Sequence, residues 1–247
     1  MITSKQNALI KEIRSLSDKK FRDLLGLYVV EGVKTVKETI SAGLEIKVVV
    51  GTEKGLNACG NISVKTETVS DEIFKYISAE VTPQGALAVV KKPENKLVSP
   101  KESCILLDGV ADPVNVGAVL RTAVASGYSE IYMTSECADP YSPKAVRCSM
   151  SGVFRTKIMR AELSDILGVI DCPIVVADMN GENVFSKKIT GKFCLVIGNE
   201  GRGVSKQLKD RADITVSIPM QNGMESLNAG VSAGILMYNL KNQVKGE

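Results

Sequence analysis

The stretch Ser217-Ile-Pro-Met-Gln-Asn-Gly-Met-Glu-Ser-Leu-Asn228 runs directly into Ala229-Gly-Val-Ser-Ala-Gly-Ile-Leu-Met237. An apolar run from Ile214 to Ile218 is typical of a buried strand, and Pro219 ends it. A polar turn through Gly223 follows, and the next residues are mostly small. Taken alone, this pattern fits an ordinary strand, turn and buried helix as well as it fits a binding site.

The small residues predict a helix from Ser226 to Leu240. Ser226 and Asn228 lie at its predicted start, where unpaired backbone N–H groups need short polar partners. Ser226 could therefore be an N-cap or a substrate contact. Ala, Gly and Ser along such a helix allow another backbone to approach closely.

Composition excludes several classes of protein. The chain has 247 residues, of which 44% are hydrophobic and 24% charged, as in soluble globular proteins of one or two domains. It contains no His, which removes His general bases and the commonest metal ligand, so we expect no metal site. Six scattered cysteines without a CxxC pair predict reduced thiols and a cytoplasmic protein. Neither a signal peptide nor a membrane-spanning run is apparent.

Charge is unevenly distributed along the chain. The formal net charge is only +3, but residues 1–22 are rich in Lys and Arg and the remainder is nearly neutral. Such a basic segment predicts contact with nucleic acid, although a solvated helix face explains it equally well.

The first 92 residues alternate between helix and strand patterns, which predicts a small α/β domain. The expected helices cover residues 4–16, with Ser4 as cap, and residues 19–25, Val33–Ala42 and Asp71–Ser78; the expected strands are Leu27–Val30, Ile46–Val50 and Ala86–Val90. Residues 93–103 are polar and hold two prolines, so we interpret them as a linker.

Residues 104–247 predict a second, larger α/β domain. Its expected strands are Ile105–Leu107, Ile131–Met133, Ile174–Ala177, Phe193–Ile197 and Ile214–Ile218, and its expected helices are Val116–Ser126, Pro143–Ser151, Ser164–Ile170, Ser205–Lys209 and Ser226–Leu240. Long apolar strands separated by helices favour a buried, mostly parallel sheet with helices on both faces. Ligands bind beyond the carboxyl ends of such strands.

Two further segments fall at those ends. Asp108-Gly-Val-Ala-Asp-Pro-Val-Asn-Val-Gly-Ala-Val-Leu-Arg121 places Asn115 near a helix start and Arg121 nearly two turns later. Leu195-Val-Ile-Gly-Asn-Glu-Gly-Arg-Gly-Val-Ser205 has three glycines between a strand and a helix, so its backbone can approach a ligand closely. It is neither a GxGxxG nor a P-loop motif.

Together these three segments closely resemble the SpoU/TrmH family of RNA ribose 2′-O-methyltransferases, within the SPOUT class. The resemblance extends from Ile105 to about Leu240. The first domain resembles the ribosomal-protein-like substrate-binding domain common in that family, through residues 26–32 and Pro83-Gln-Gly-Ala. The resemblance implies a deep trefoil knot, which chain-topology rules would not have suggested. It also implies a homodimer with active sites beside the subunit interface.

The resemblance further implies S-adenosyl-L-methionine as cofactor. The matching cofactor-binding positions are Gly198, Asn199, Ile218, Met220 and Leu227, and the matching catalytic positions are Asn115, Arg121, Glu200, Ser226 and Asn228. Family precedent gives proton removal to Arg121. Because a guanidinium has a pKa of about 12.5–13.8, we prefer a role in holding phosphate and stabilising the developing alkoxide. Glu200 could instead cap the following helix and fix the loop of the implied knot.

The implied substrate is structured RNA, and ribosomal RNA is favoured over tRNA. Arg14, Lys19, Lys20, Lys144 and Arg147 are the candidate RNA-binding residues. A non-catalytic RNA-binding or ribosome-assembly protein is an alternative, which the full set of motif residues disfavours. A dinucleotide-dependent oxidoreductase is suggested only by glycines after a strand.

Overall fold

The chain forms two compact units in the computed structural model, which describes residues 1–244. The first unit contains residues 1–94 together with residues 141–151, and the second contains residues 95–140 and the chain from residue 152 onwards. Residues 141–151, which the sequence analysis assigns to the second domain, therefore pack with the first unit.

The first unit is a mixed sheet with helices. Its strands are β1 (Leu27–Glu31), β2 (Ile46–Gly51), β3 (Thr66–Thr68) and β4 (Ala86–Lys91), and its helices are α1 (Ala8–Ser15), α2 (Lys19–Leu25), α3 (Val33–Ser41), α4 (Glu53–Cys59), α5 (Asp71–Ile77) and α7 (Pro143–Ser149). The strand order is β1-β4-β2-β3. β4 is antiparallel to both of its neighbours, and β3 is parallel to β2.

Local capping defines the ends of the first two helices. The α2 helix begins after Asp18, whose carboxylate accepts from the Lys20 amide, and ends at Gly26, where φ is +64°. The α1 helix begins at Ala8, because the Asn7 side chain accepts from the Leu9 amide. The predicted helix start with Ser4 as cap is therefore wrong.

The second unit is built on a six-stranded sheet. Its strands are β5 (Cys104–Asp108), β6 (Glu130–Thr134), β7 (Lys157–Ala161), β8 (Ile174–Asn183), β9 (Cys194–Gly198) and β10 (Ile214–Ser217), and its helices are α6 (Pro113–Ser126), α8 (Gly152–Arg155), α9 (Leu163–Val169), α10 (Lys206–Lys209) and α11 (Ala229–Val244). The strand order is β10-β8-β9-β5-β6-β7, and every neighbouring pair is parallel. β5 and β6 are buried throughout, as expected of central parallel strands.

The end of the predicted linker lies on the second unit. Leu97 and Val98 pack against its core. The Tyr132 hydroxyl donates to the Val98 carbonyl oxygen at 2.7 Å, and the Lys101 amide donates to Glu130 at 2.8 Å. A polar, proline-containing segment thus follows the surface of the sheet unit over residues 95–103.

Four elements were not predicted, and both α6 and the last helix begin three residues away from their predicted starts. β3 has only three residues and α8 only four, β7 carries Lys157 and Arg160, and α4 lacks a long apolar run, so none has a strong periodic signal. The last helix begins at Ala229, three residues later than predicted. Residues 224–228 before it are outside the helix, and Asn228 forms the cap.

The six cysteines are free thiols, and four of them are buried. Within residues 1–244, no helix has both the length and the apolarity needed to span a bilayer.

Candidate active site

A cavity of about 1030 Å³ lies beside the middle of β8 and the carboxyl ends of β9 and β10. Its walls come from these parts of the strands, from the chain just after β9 and β10, and from the segment before α11; the lining residues are 177–180, 197–204, 209, 216–220, 224–229, 232 and 236. The carboxyl ends of parallel strands meet at one edge of a sheet, which is why segments distant in sequence share this cavity. Its size suits a ligand as large as a nucleoside derivative.

The loop after β9 depends on the absence of a side chain at Gly198. A Cβ built there would lie 2.4 Å from the carbonyl carbon of Gly203 and 2.4 Å from the Val204 nitrogen. The loop folds back so tightly because Asn199 and Gly203 exchange both backbone hydrogen bonds, at 3.0 and 2.9 Å. Gly203 itself has a φ of +68°, which favours glycine.

Side chains hold this loop against the neighbouring strand. The Asn199 amide nitrogen donates to the Gly109 carbonyl oxygen at 2.7 Å, and its Oδ1 accepts from the Gly201 and Arg202 amides. Asp108, at the end of β5, accepts from the Ser205 amide at 2.7 Å. The ends of β5 and β9 are therefore joined by polar contacts as well as by the sheet.

A chain of hydrogen bonds links the three quoted sequence segments. The Asn115 Nδ2 donates to Glu200 Oε1 at 2.7 Å, and Asn115 Oδ1 accepts from Asn228 Nδ2 at 2.9 Å. Asn115 is buried in the first turns of α6. One amide side chain thus connects residues that are 85 and 113 positions away in sequence.

Glu200 is held as a carboxylate. It also accepts from the backbone amides of Ala111 and Asp112 at 3.1 and 3.2 Å. Partial burial acts to raise the pKa of Glu200, but hydrogen bonds from Asn115 and from these amides outweigh it and lower the pKa. Its contacts tie the loop after β9 to the start of α6. Glu200 does not cap the helix that follows it, which begins after Ser205, so that part of the predicted alternative is wrong.

Asn228, and not Ser226, caps the last helix. Its Oδ1 accepts from the Gly230 amide at 2.9 Å and from the Val231 amide at 3.3 Å. Ser226 is exposed at the cavity wall, and its hydroxyl has no hydrogen-bond partner in the described part of the chain. The N-cap alternative for Ser226 is therefore wrong, and its hydroxyl is available to a bound molecule.

All the predicted cofactor-binding residues line this cavity. These are Gly198, Asn199, Ile218, Met220 and Leu227. Glu200, Ser226 and Asn228 line it too, while Asn115 lies behind Glu200 and Asn228. Exposed backbone in the loops and apolar side chains at residues 218 and 227 offer both kinds of contact that an adenosyl group needs.

Arg121 is separate from this group. It lies on an exposed face of α6 and forms no hydrogen bond or ion pair with any residue between 1 and 243. Arg121 follows Asn115 by six positions in the helix, so its side chain points about 240° further around the helix axis than that of Asn115. Within one copy of the chain, the structure does not bring Arg121 to the Glu200–Asn115–Asn228 chain.

Asp178 and Lys209 are cavity residues that sequence reasoning missed. They form an ion pair at 2.6 Å, and the Lys209 ammonium is the main cause of the lowered pKa of Asp178. Asp178 directly follows the predicted strand Ile174–Ala177, so its place after that strand was a sequence signal for a ligand-binding position, although the observed β8 continues to Asn183.

The candidate RNA-binding residues all lie in the first unit and are exposed. Arg14 lies over the Tyr76 ring at 5.4 Å, and Arg147 pairs with Glu80 at 3.0 Å. Lys19 approaches Asp23 at 3.8 Å, while Lys20 and Lys144 complete the set. Arg22, which contributes to the basic count, is instead buried and donates to the Leu16 and Ser17 carbonyl oxygens.

Comparison with known proteins agrees with this arrangement. The family model described as the SpoU rRNA Methylase family matches residues 102–238, and the model described as the MRM3-like substrate binding domain matches residues 7–88. The 23S rRNA (guanosine(2553)-2′-O)-methyltransferase RlmP of Bacillus subtilis is 29% identical over 245 residues, covering 97% of this chain and 98% of that protein.

Two other relatives match over nearly the whole chain. The 23S rRNA (uridine(2479)-2′-O)-methyltransferase of Streptomyces viridochromogenes is 27% identical, covering 98% of this chain and 92% of that protein. The crystal structure of an AdoMet-bound rRNA methyltransferase from Sinorhizobium meliloti superposes with a TM-score of 0.87 at 27% identity, covering 98% of this chain and 97% of that one.

Proposed function

Because the chain belongs to the SpoU rRNA methylase family, we propose that it transfers a methyl group from S-adenosylmethionine to a ribose 2′-hydroxyl of large-subunit ribosomal RNA. The observation that carries this proposal is the hydrogen-bonded chain Glu200–Asn115–Asn228 at the wall of the 1030 Å³ cavity. The relatives named above that act on 23S rRNA match this protein over both units, which favours ribosomal RNA over tRNA.

The cofactor occupies the cavity after β9 and β10 in this proposal. Gly198 and the turned-back loop after it allow backbone groups to approach the ligand, and Ile218 and Leu227 line the same space. Asn199 and Met220 complete the proposed cofactor site. When bound, S-adenosylmethionine supplies an electrophilic methyl group on a sulfonium, so the protein needs to orient the attacking hydroxyl and receive or release its proton.

The residues near Asn228 orient the ribose. The Ser226 hydroxyl projects from the cavity wall and can hydrogen-bond to a ribose oxygen. Asn115 fixes the rotamers of Glu200 and Asn228 by filling one hydrogen-bonding position on each. The negative charge of Glu200 favours the sulfonium electrostatically, and its lowered pKa keeps that charge at neutral pH.

Arg121 acts as a charged group. Deprotonating a guanidinium at pH 7 costs about 7–9 kcal/mol, so a clamp on the RNA phosphate that also stabilises the developing alkoxide needs less energy than a neutral base. Since Arg121 is exposed and turned away from its own cavity, we place its action in a homodimer, where it serves the cavity of the other copy. Exposed Val231 and Tyr238, in the first and third turns of α11, provide apolar surface for that association.

A direct assay tests the proposal. Purified protein is incubated with tritiated S-adenosylmethionine and transcribed 23S rRNA or mixed tRNA, and modified riboses are mapped by their resistance to alkaline cleavage. We expect label in 23S rRNA at a single nucleotide, and none in tRNA. Label on a base, or labelled tRNA with unlabelled 23S rRNA, would contradict the proposal. Sedimentation at assay concentration tests the homodimer separately.

A further inference from the structure

The first unit contains a second cavity, of about 310 Å³, that the proposed chemistry does not use. It is bounded by the end of α1, the end of β1, the start of α3, the loop after α5, and α7. Apolar side chains form its inner wall, among them Ile13, Val29 and Val146. Its volume is at the lower end of the range for small-ligand pockets.

Two polar side chains face this apolar space. Glu31, at the end of β1, accepts from the Ser78 hydroxyl and from the Ala79 amide at 3.0 Å. A carboxylate has room for about four hydrogen bonds, so two positions are left on Glu31. Gln84 accepts from the Val33 amide at 3.0 Å, while its own amide nitrogen donates to no other residue of the described chain.

Burial raises the pKa of the Glu31 carboxyl. Hydrogen bonds from Ser78 and Ala79 lower this pKa, but the loss of solvent outweighs them. Such a group gains from a ligand that offers N–H donors, because it has given up part of its hydration.

The rim of the cavity carries more positive than negative charge. Arg147 and Glu80 pair with each other at 3.0 Å. Arg14 and Lys34, in contrast, are exposed lining residues without a carboxylate partner in the described part of the chain. Arg14 instead lies over the exposed Tyr76 ring. Two cations without a carboxylate partner around an apolar pocket fit a ligand that is flat and apolar at its centre and anionic on either side.

We propose that this cavity takes up one unstacked nucleobase of the RNA substrate, with Glu31 accepting hydrogen bonds from the base and with Arg14 and Lys34 contacting the flanking phosphates. The proposal rests on the proposed RNA methyltransferase function and names how that substrate is held far along the sequence from the methyl-transfer site. Proteins that read single-stranded RNA commonly splay a base out of its stack and hydrogen-bond to its edge.

Ala79→Trp fills the cavity from its exposed edge. Ala79 is an exposed lining residue, so a large side chain there costs little folding energy. Val81→Trp is the matched control, because Val81 is 98% exposed and does not line the cavity. We expect Ala79→Trp to raise the KM for 23S rRNA about tenfold or more while kcat stays close to that of the wild type. Val81→Trp leaves both constants unchanged.

Photocrosslinking provides a readout that does not depend on turnover. 23S rRNA transcribed with 4-thiouridine or 6-thioguanosine is irradiated with the protein, and crosslinked peptides are identified by mass spectrometry. We expect an adduct on a cavity residue such as Thr35 or Met150, and its loss in Ala79→Trp but not in Val81→Trp.

The outcomes separate the two proposals. A wild-type protein that methylates no RNA, but still yields the cavity adduct, refutes the proposed function and supports the cavity as a base site. The base site alone is overturned if the wild-type protein methylates 23S rRNA, Ala79→Trp has the same KM, and neither protein yields an adduct on a cavity residue.

Discussion

Gly198→Ala tests the proposed cofactor site through one added methyl group. The new Cβ would lie 2.4 Å from two backbone atoms of the returning loop and 2.6 Å from the Gly203 carbonyl oxygen. Backbone cannot rotate away as a side chain can, so the Asn199–Gly203 backbone pair must open or shift. Forced overpacking of this kind costs about 1–3 kcal/mol.

The cost appears in two measurements. If the wild-type loop conformation is the one that binds cofactor, opening it weakens S-adenosylmethionine binding by the same energy, a factor of about 5–150 in Kd by calorimetry. Urea denaturation of the second unit should show a matching loss of about 1–3 kcal/mol in the free energy of unfolding.

Gly201→Ala is the internal control for this prediction. Gly201 belongs to the same loop, but a Cβ there would meet only the Asn199 side-chain oxygen at 3.7 Å, an ordinary contact. We expect its Kd and stability to stay near those of the wild type. If Gly198→Ala bound S-adenosylmethionine as tightly as Gly201→Ala does, the assignment of this loop to the cofactor would be refuted.

Three further predictions concern the residues around the cavity. Arg121→Lys should lower turnover about 100-fold without changing cofactor affinity, because Lys lacks the planar fork of donors; near-wild-type turnover would refute both proposed roles of Arg121. Asn228→Ala should cost about 0.5–2 kcal/mol in urea denaturation through loss of the α11 cap, whereas Ser226→Ala should cost almost nothing; equal losses would contradict the helix start at Ala229. Glu200→Gln should be less stable than the wild type at neutral pH. Because the pKa of Glu200 is lowered by folding, its contribution is full above the usual Glu pKa of 4.5 and is lost as the pH falls through the lower folded value. The stability difference between the two proteins should therefore shrink from pH 6 to pH 3, and a constant difference would exclude the carboxylate as its source.

Local signals in the sequence predicted most of the fold. Strand β2 and helix α2 were placed to within one residue, because an apolar run and the caps Asp18 and Gly26 act over a few neighbouring residues. The edge strand β7 and the short α4 were missed, since the pairing that stabilises them comes from residues distant in the chain. The small residues from Ser226 onwards predict a helix that starts there, whereas the Asn228 cap starts α11 at Ala229.

Local sequence patterns are enough to predict the buried parallel strands, the glycines that allow close backbone approach, and three motifs whose combination identifies the family. Which polar side chains meet depends on the tertiary fold: Asn115 joins Glu200 to Asn228, while Arg121, on the same helix, faces away. The tertiary fold also places residues 141–151 with the first unit and creates the Glu31 cavity there. The difference lies in how far apart in sequence the interacting residues are. Burial and capping depend on neighbours along the chain, but a hydrogen bond between residues 85 or 113 positions apart depends on strand order and helix rotation.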